Sequence, residues 1–267
     1  MGGRDTHRRP RRIAGALALA LTLPGGAAQA APPALRFVTE PFPPYNYERQ
    51  GKPAGPMVEL LQAACAELKW QCQVEVLPWR RALGMAQRGE VDGIFSIVDG
   101  AERRAYFHVS VPVIDARYTL FAHAGDDFQY RGQAQSLQGR SIAAYGPSNT
   151  LLVLDELVEG LEDVQAVTES DNLTVLRKLS AGRYGPKALG LLNESVALAL
   201  IRDENIPGLQ AAGTVRSFAY SFGLSRQRVP LKNFQAFNTT LVRLCRSGRS
   251  AELIKPHALP ASACAKA

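Results

Sequence analysis

Four cysteines and four histidines have the most reactive side chains in this chain, and their spacing limits what they can do. Cys65, Cys72, Cys245 and Cys264 form no CxxC pair, and His7, His108, His123 and His257 are scattered. Neither a zinc site nor a dithiol redox centre is therefore expected. An even number of cysteines fits disulfides in an oxidising compartment. Nearest-neighbour pairing, Cys65 with Cys72 and Cys245 with Cys264, is the expected connectivity among three, with buried unpaired thiols as the alternative. No nucleophile elbow, phosphate loop or HExxH motif is present, so nothing demands catalysis, and neither a metal nor a cofactor is expected. Ser148, Asn149 and Thr150 end a Gly-Pro loop and open a helix. The backbone N–H groups there suit a carboxylate, although serine or asparagine capping alone would account for the same residues.

The elements that must position such groups repeat. Leu35 to Thr39 reads as a strand, and Val58, Leu61, Ala64, Cys65 and Leu68 recur at helical spacing, closing near Lys69. Gln73 to Leu77 alternates as a strand, Trp79 to Arg88 is helical, and Gly93 to Val98 is a continuous apolar run like a strand buried on both faces. The pattern restarts after Ser136. Arg140 to Tyr145, Asp163 to Val167 and Ala188 to Leu192 read as strands; Leu151 to Glu159, Ser170 to Ala181 and a segment from Glu194 read as helices. Two α/β units in tandem follow from this order. Arg117 to His123 and Ser217 to Ser225 are extended runs between and after the units. Leu231 to Ser247 is amphipathic, with Phe234, Phe237, Leu241 and Leu244 on one stripe. If that helix returns to the first unit, the extended runs are paired hinge crossovers.

The amino terminus carries five arginines, an apolar run from Ile13 to Leu23, a Pro24-Gly25-Gly26 breaker, and small residues ending at Ala30. That order is a secretory signal peptide with cleavage after Ala30, and a periplasmic location follows. Removing residues 1–30 leaves 26 basic and 23 acidic residues, lowering the net charge from +7 to +3. The basic character thus belongs mainly to the leader, and no nucleic-acid partner is expected.

The runs FVTEPFPPYNYERQGKPAGPMVELLQAACAEL, EVLPWRRALGMAQRGEVDGIFSIVDGAERRAYFHVSVPV and SLQGRSIAAYGPSNT closely resemble the family 3 solute-binding proteins of bacterial amino-acid uptake systems. The similarity is strongest in residues 35 to 123. It implies the type II periplasmic-binding-protein fold, two α/β lobes joined by two hinge strands and closing on a ligand. The boundaries expected on this basis are residues 31–119 with 221–267 for the first lobe and 120–220 for the second, hinge strands included.

The resemblance also implies a ligand site. Arg103, in Gly100-Ala101-Glu102-Arg103, aligns with the family's carboxylate-holding arginine, whose planar fork matches two oxygens. Gly100 stands where the family has threonine, so one hydroxyl contact is missing. Glu40 and Phe42 align with cleft-lining positions, Ser96 with a strand-end contact, and Ser148, Asn149 and Thr150 with contacts from the second lobe. Tyr45, after the double proline, and Trp79, after the strand, are aromatics that would sandwich a flat or apolar part of the ligand, with core packing as the alternative for Trp79. Asn193 replaces the family's ammonium-binding aspartate. An amide accepts a hydrogen bond but does not offset a charge in a dry cleft, so Glu40 or Glu194 supplies the charge, or the ligand is not an ordinary α-amino acid.

The expected function is capture of a small carboxylate-bearing solute by a monomer that delivers it to an inner-membrane ABC permease or presents it to a receptor. A few relatives of this fold are periplasmic dehydratases resembling cyclohexadienyl dehydratase. An enzyme is not expected here, and Glu40 and Glu194 would be its acid or base candidates.

Overall fold

The alternation of short apolar strands with amphipathic helices becomes a mixed α/β architecture in the computed structural model, which describes residues 1–3 and 34–263. The account below concerns the unit Pro32–Ala267. The expected signal peptide and Cys264 lie outside the described residues.

Strand β1 (Ala34–Thr39) leads through a hairpin, β2 (Tyr47–Arg49) and β3 (Lys52–Ala54), into α1 (Pro56–Glu67). Then come β4 (Gln71–Val76), α2 (Trp79–Gln87), β5 (Gly93–Val98), α3 (Ala101–Tyr106) and β6 (Phe107–Val109). A ten-residue strand, β7 (Ile114–His123), carries the chain into a second series: β8 (Ser141–Tyr145), α4 (Asn149–Val158), β9 (Gln165–Glu169), α5 (Asn172–Ser180), β10 (Leu189–Asn193) and α6 (Glu194–Asp203). The 17-residue β11 (Leu209–Ser225) returns, followed by α7 (Leu231–Arg246) and α8 (Arg249–Ile254).

Among the described residues these strands form a nine-stranded sheet in the order β4-β1-β5-β11-β7-β10-β8-β9, with β6 also pairing with β11. β1 runs parallel to β4 and β5, and β8 parallel to β9 and β10. β7 and β11 are antiparallel to each other, and β11 passes from β7 at its start to β5 and β6 at its end. One ladder thus joins both series. β5 and β10 are buried on both faces, which is why Gly93 to Val98 and Ala188 to Leu192 read as mainly apolar runs.

Helix α1 begins with Pro56 at its first turn and buries Met57, Val58, Leu60, Leu61, Ala64 and Cys65. The C-terminal helix α7 packs back on the first series: Phe237 lies 6.4 Å from Phe37 and 5.5 Å from Phe222, ring centre to ring centre. The Phe37 ring occupies the space a side chain at residue 93 would need, coming within 2.3 Å of an ideal Cβ, so Gly93 permits this close packing. Cys65 and Cys72 are disulfide-bonded with Cα atoms 6.3 Å apart, fixing the end of α1 to β4.

β11 starts eight residues before the extended run Ser217 to Ser225. Its first part alternates between half-buried and exposed residues, contains Gly213, and slips register between Ala211 and Thr214 and between Thr214 and Arg216. Those irregularities break the period-two signal. The expected strand Asp163 to Val167 lies two residues later, at Gln165–Glu169, and α4 opens at Asn149 within the expected loop. No helix among the described residues is long and apolar enough to cross a membrane.

Candidate functional site

One cleft of about 470 Å³, its open mouth included, gathers residues from both series. Glu40, Phe42, Trp79, Ser96 and Arg103 line it from the first; Tyr145, Ser148, Asn149, Thr150, Asn172 and Asn193 from the second; Tyr118 and Tyr220 from β7 and β11.

Ser96 reaches the cleft through a backbone irregularity. The register between β5 and β11 slips beside Ser221 and Phe222, and Ser96 has φ +62°. A bulge of this kind re-aims one residue while the strand continues. The Ser96 hydroxyl donates to Asn46 Oδ1. Asn46, fully buried, donates in turn to Thr39 Oγ1 at 2.9 Å and to the carbonyl of Glu40 at 2.6 Å.

Arg103 follows the turn in which Gly100, at φ −173°, precedes α3 without a side-chain cap. The arginine is only 7% exposed, and its Nη1 donates to Glu102 Oε1 at 2.8 Å. Its guanidinium lies 6.0 Å from the centre of the Trp79 ring. Trp79 opens α2 and also packs with Leu77, Ala82 and Ile97, so it is both core and cleft wall.

Glu40 is the acidic residue on the lining. Burial pushes its carboxyl up to about 8, the hydrogen bond from Tyr145 offsetting this only in part. Tyr145 Oη lies 3.5 Å from Glu40 Oε2, so the contact spans the cleft from β8 to the end of β1. Glu194 is elsewhere: it pairs with Arg117 on the surface, with Nη2 3.0 Å from Oε1. Glu194 is therefore not on the cleft wall, where the acidic residue is Glu40.

Tyr45 does not form part of the lining. It is fully buried behind Phe42, stacked on it at 5.4 Å and edge-on to Tyr220 at 4.9 Å. Its hydroxyl meets Asn193, which is 2% exposed and caps α6 by accepting the Val196 N–H at 3.1 Å. At the opposite helix, Ser148 Oγ accepts from the Thr150 and Leu151 N–H groups and donates to the Tyr145 carbonyl. Ser148 is thus a helix cap, while Asn149 Nδ2 donates to Tyr118 Oη at 3.2 Å.

Sequence reasoning missed Tyr118, Tyr145, Tyr220, Asn172 and the supporting Asn46. Tyr118 and Tyr220 sit in the two extended runs that cross between the series, and a tyrosine at a crossover was the available signal. Asn172 opens α5 beside the capping Asp171, a position that reads as ordinary capping.

Residues 35–258 match the family described as bacterial extracellular solute-binding proteins, family 3. No curated protein matches the sequence. Among solved structures, a histidine kinase sensor domain with similarity to periplasmic binding proteins superposes with a TM-score of 0.76 at 18% identity, covering 88% of this chain and 100% of that one. The amino-acid ABC transporter substrate-binding protein AbpA of Streptococcus pneumoniae, bound to L-arginine, gives 0.69 at 21%, covering 84% and 94%. The arginine-, lysine-, histidine-binding protein ArtJ of Geobacillus stearothermophilus gives 0.69 at 19%, covering 83% and 94%. The expected α/β periplasmic-binding-protein fold is the one these structures share with it.

Proposed function

Because the chain belongs to the bacterial extracellular solute-binding proteins, family 3, we propose that it captures a small carboxylate-bearing solute, an amino acid or a relative of one, in the cleft. The observation that carries this reading is Arg103, a buried guanidinium on the cleft wall beside the Trp79 ring. A fork-shaped cation held away from water suits two carboxylate oxygens. The two lobes, residues 31–119 with 221–267 and residues 120–220, close about β7 and β11, because the ligand contacts groups from both.

In the same proposal the chain is exported, cleaved near Ala30, and acts as a periplasmic monomer that delivers the solute to an ABC permease without converting it. The decisive experiment is calorimetric titration of the purified residues 31–267 with amino acids, 2-oxo acids and dicarboxylates, repeated with Arg103→Ala. Binding of an acid that Arg103→Ala abolishes supports the assignment; unchanged affinity in the variant overturns it. Recovery of chemically altered solute after incubation would replace binding by catalysis.

A second reading, presentation of the loaded form to a signalling receptor, is favoured by the likeness to the histidine kinase sensor domain, which is covered over its whole length. Uptake of labelled solute by cells lacking this protein separates the two: transport requires it, and signalling alone does not.

A further inference from the structure

Asn193 has only one orientation available. The N–H of Val196 is a donor and lies 3.1 Å from one of its amide atoms, so that atom is Oδ1 and the NH₂ group faces the tyrosines. Nδ2 then donates to Tyr220 Oη at 3.1 Å and to Tyr45 Oη at 3.2 Å. At the far end of the same wall, Asn149 Nδ2 donates to Tyr118 Oη at 3.2 Å. Three phenols therefore receive three amide hydrogens.

The three phenol protons have fewer places to go. Tyr45 returns its own to Asn193 Oδ1 at 3.3 Å. The Tyr118 and Tyr220 oxygens, each already accepting an amide hydrogen, keep their own protons to donate. Tyr118, Tyr220 and Thr150 all line the cleft, so this wall presents a hydrogen-bond donor to whatever enters.

Arg103 adds a buried cation on the same lining. Glu40 does not reverse the balance: burial holds its carboxyl protonated up to about pH 8, with the Tyr145 hydroxyl against it. An ammonium group in this cleft would meet donors, with no ionised carboxylate at neutral pH, and a buried charge left unpaired is costly.

We infer that Asn193 sets the polarity of the tyrosine wall, and that the cleft selects a carboxylate lacking an α-ammonium group, a 2-oxo acid, 2-hydroxy acid or dicarboxylate, over the amino acid of the same skeleton. This rests on the carboxylate-binding reading above.

The test is titration of the ligand-stripped protein, residues 31–267, with matched pairs: 2-oxoglutarate and L-glutamate, 2-oxoisocaproate and L-leucine, phenylpyruvate and L-phenylalanine, with succinate alongside. The deaminated member of the tightest-binding pair should bind at least about tenfold more tightly, the scale of one charge-assisted hydrogen bond. In Asn193→Asp the phenol protons turn toward the new carboxylate and the wall becomes an acceptor. That variant should lose about tenfold or more for the 2-oxo acid and gain for the amino acid. Equal or tighter binding of the amino acids by the unaltered protein overturns the inference while leaving carboxylate capture intact, as does an Asn193→Asp protein with unchanged preference. Should that variant not fold, the paired titration of the unaltered protein decides alone. If no acid of either kind binds, the carboxylate reading itself fails, and this inference with it.

Discussion

The Ser96 hydroxyl donates to Oδ1 of Asn46, fifty residues away in the chain, and through it the bulge on β5 is tied to the turn that carries Glu40. Asn46 is fully buried, out of reach of bulk solvent that could replace a lost partner. Asn46→Ala would strand the Ser96 hydroxyl and the Glu40 carbonyl at once. The expected loss is about 2–4 kcal/mol, since each unsatisfied buried group costs about 1–3 kcal/mol. Urea denaturation should show a lower midpoint with an unchanged slope.

Arg103 should behave oppositely. Among the described residues its ion pair is with Glu102, which is exposed, so little stability depends on it. Arg103→Lys keeps the charge and removes the fork. Affinity for the acid ligand should fall about 10- to 100-fold, as expected for a charge-assisted pair, with the melting temperature nearly unchanged. Calorimetry and a thermal melt on the same sample check both halves.

The Cys65–Cys72 bridge closes a short loop, the two residues being seven apart in sequence. Chain-entropy arguments give such a loop about 2.5 kcal/mol of stabilisation. The Cys65→Ser, Cys72→Ser double variant should lose an amount of that order in urea, and the ligand preference should be unaffected.

Glu40 predicts a pH dependence whose sign follows from burial. In the folded protein its carboxyl is raised to about 8 from the ordinary 4.5, so the folded state keeps a proton that the unfolded chain has released. The stability it contributes is full below about pH 4.5 and is lost as pH rises through about 8. The ligand-free protein should therefore melt progressively lower from about pH 5 to about pH 9. Glu40→Gln should flatten that slope, and an equally steep slope in the variant would show that another group is responsible.

How much of this was legible beforehand depended on the kind of signal. Gly93 to Val98 showed its full extent because a strand buried on both faces is apolar nearly throughout, Ser96 being its one polar residue. α3 and β6, at six and three residues, are too short for a period to register. The aromatics misled in both directions. Tyr45, expected in the cleft from its place after the double proline, stands one layer behind it, while Tyr118 and Tyr220, within the two extended runs, form the cleft wall. A strand side chain's face is set by register, and the register here depends on partners distant in sequence, Asn193 and Arg216 for Tyr118 and Val98 for Tyr220.

That distance carries a consequence for how the molecule is made. β5 finds its neighbour β11 only after the intervening second series has been synthesised, and α7, which covers the first series, comes later still. The amino-terminal part of the sheet therefore has no complete partner set until nearly the whole chain exists. High contact order of this kind slows folding, so the sheet closes only once the carboxyl-terminal fifth of the chain has been made.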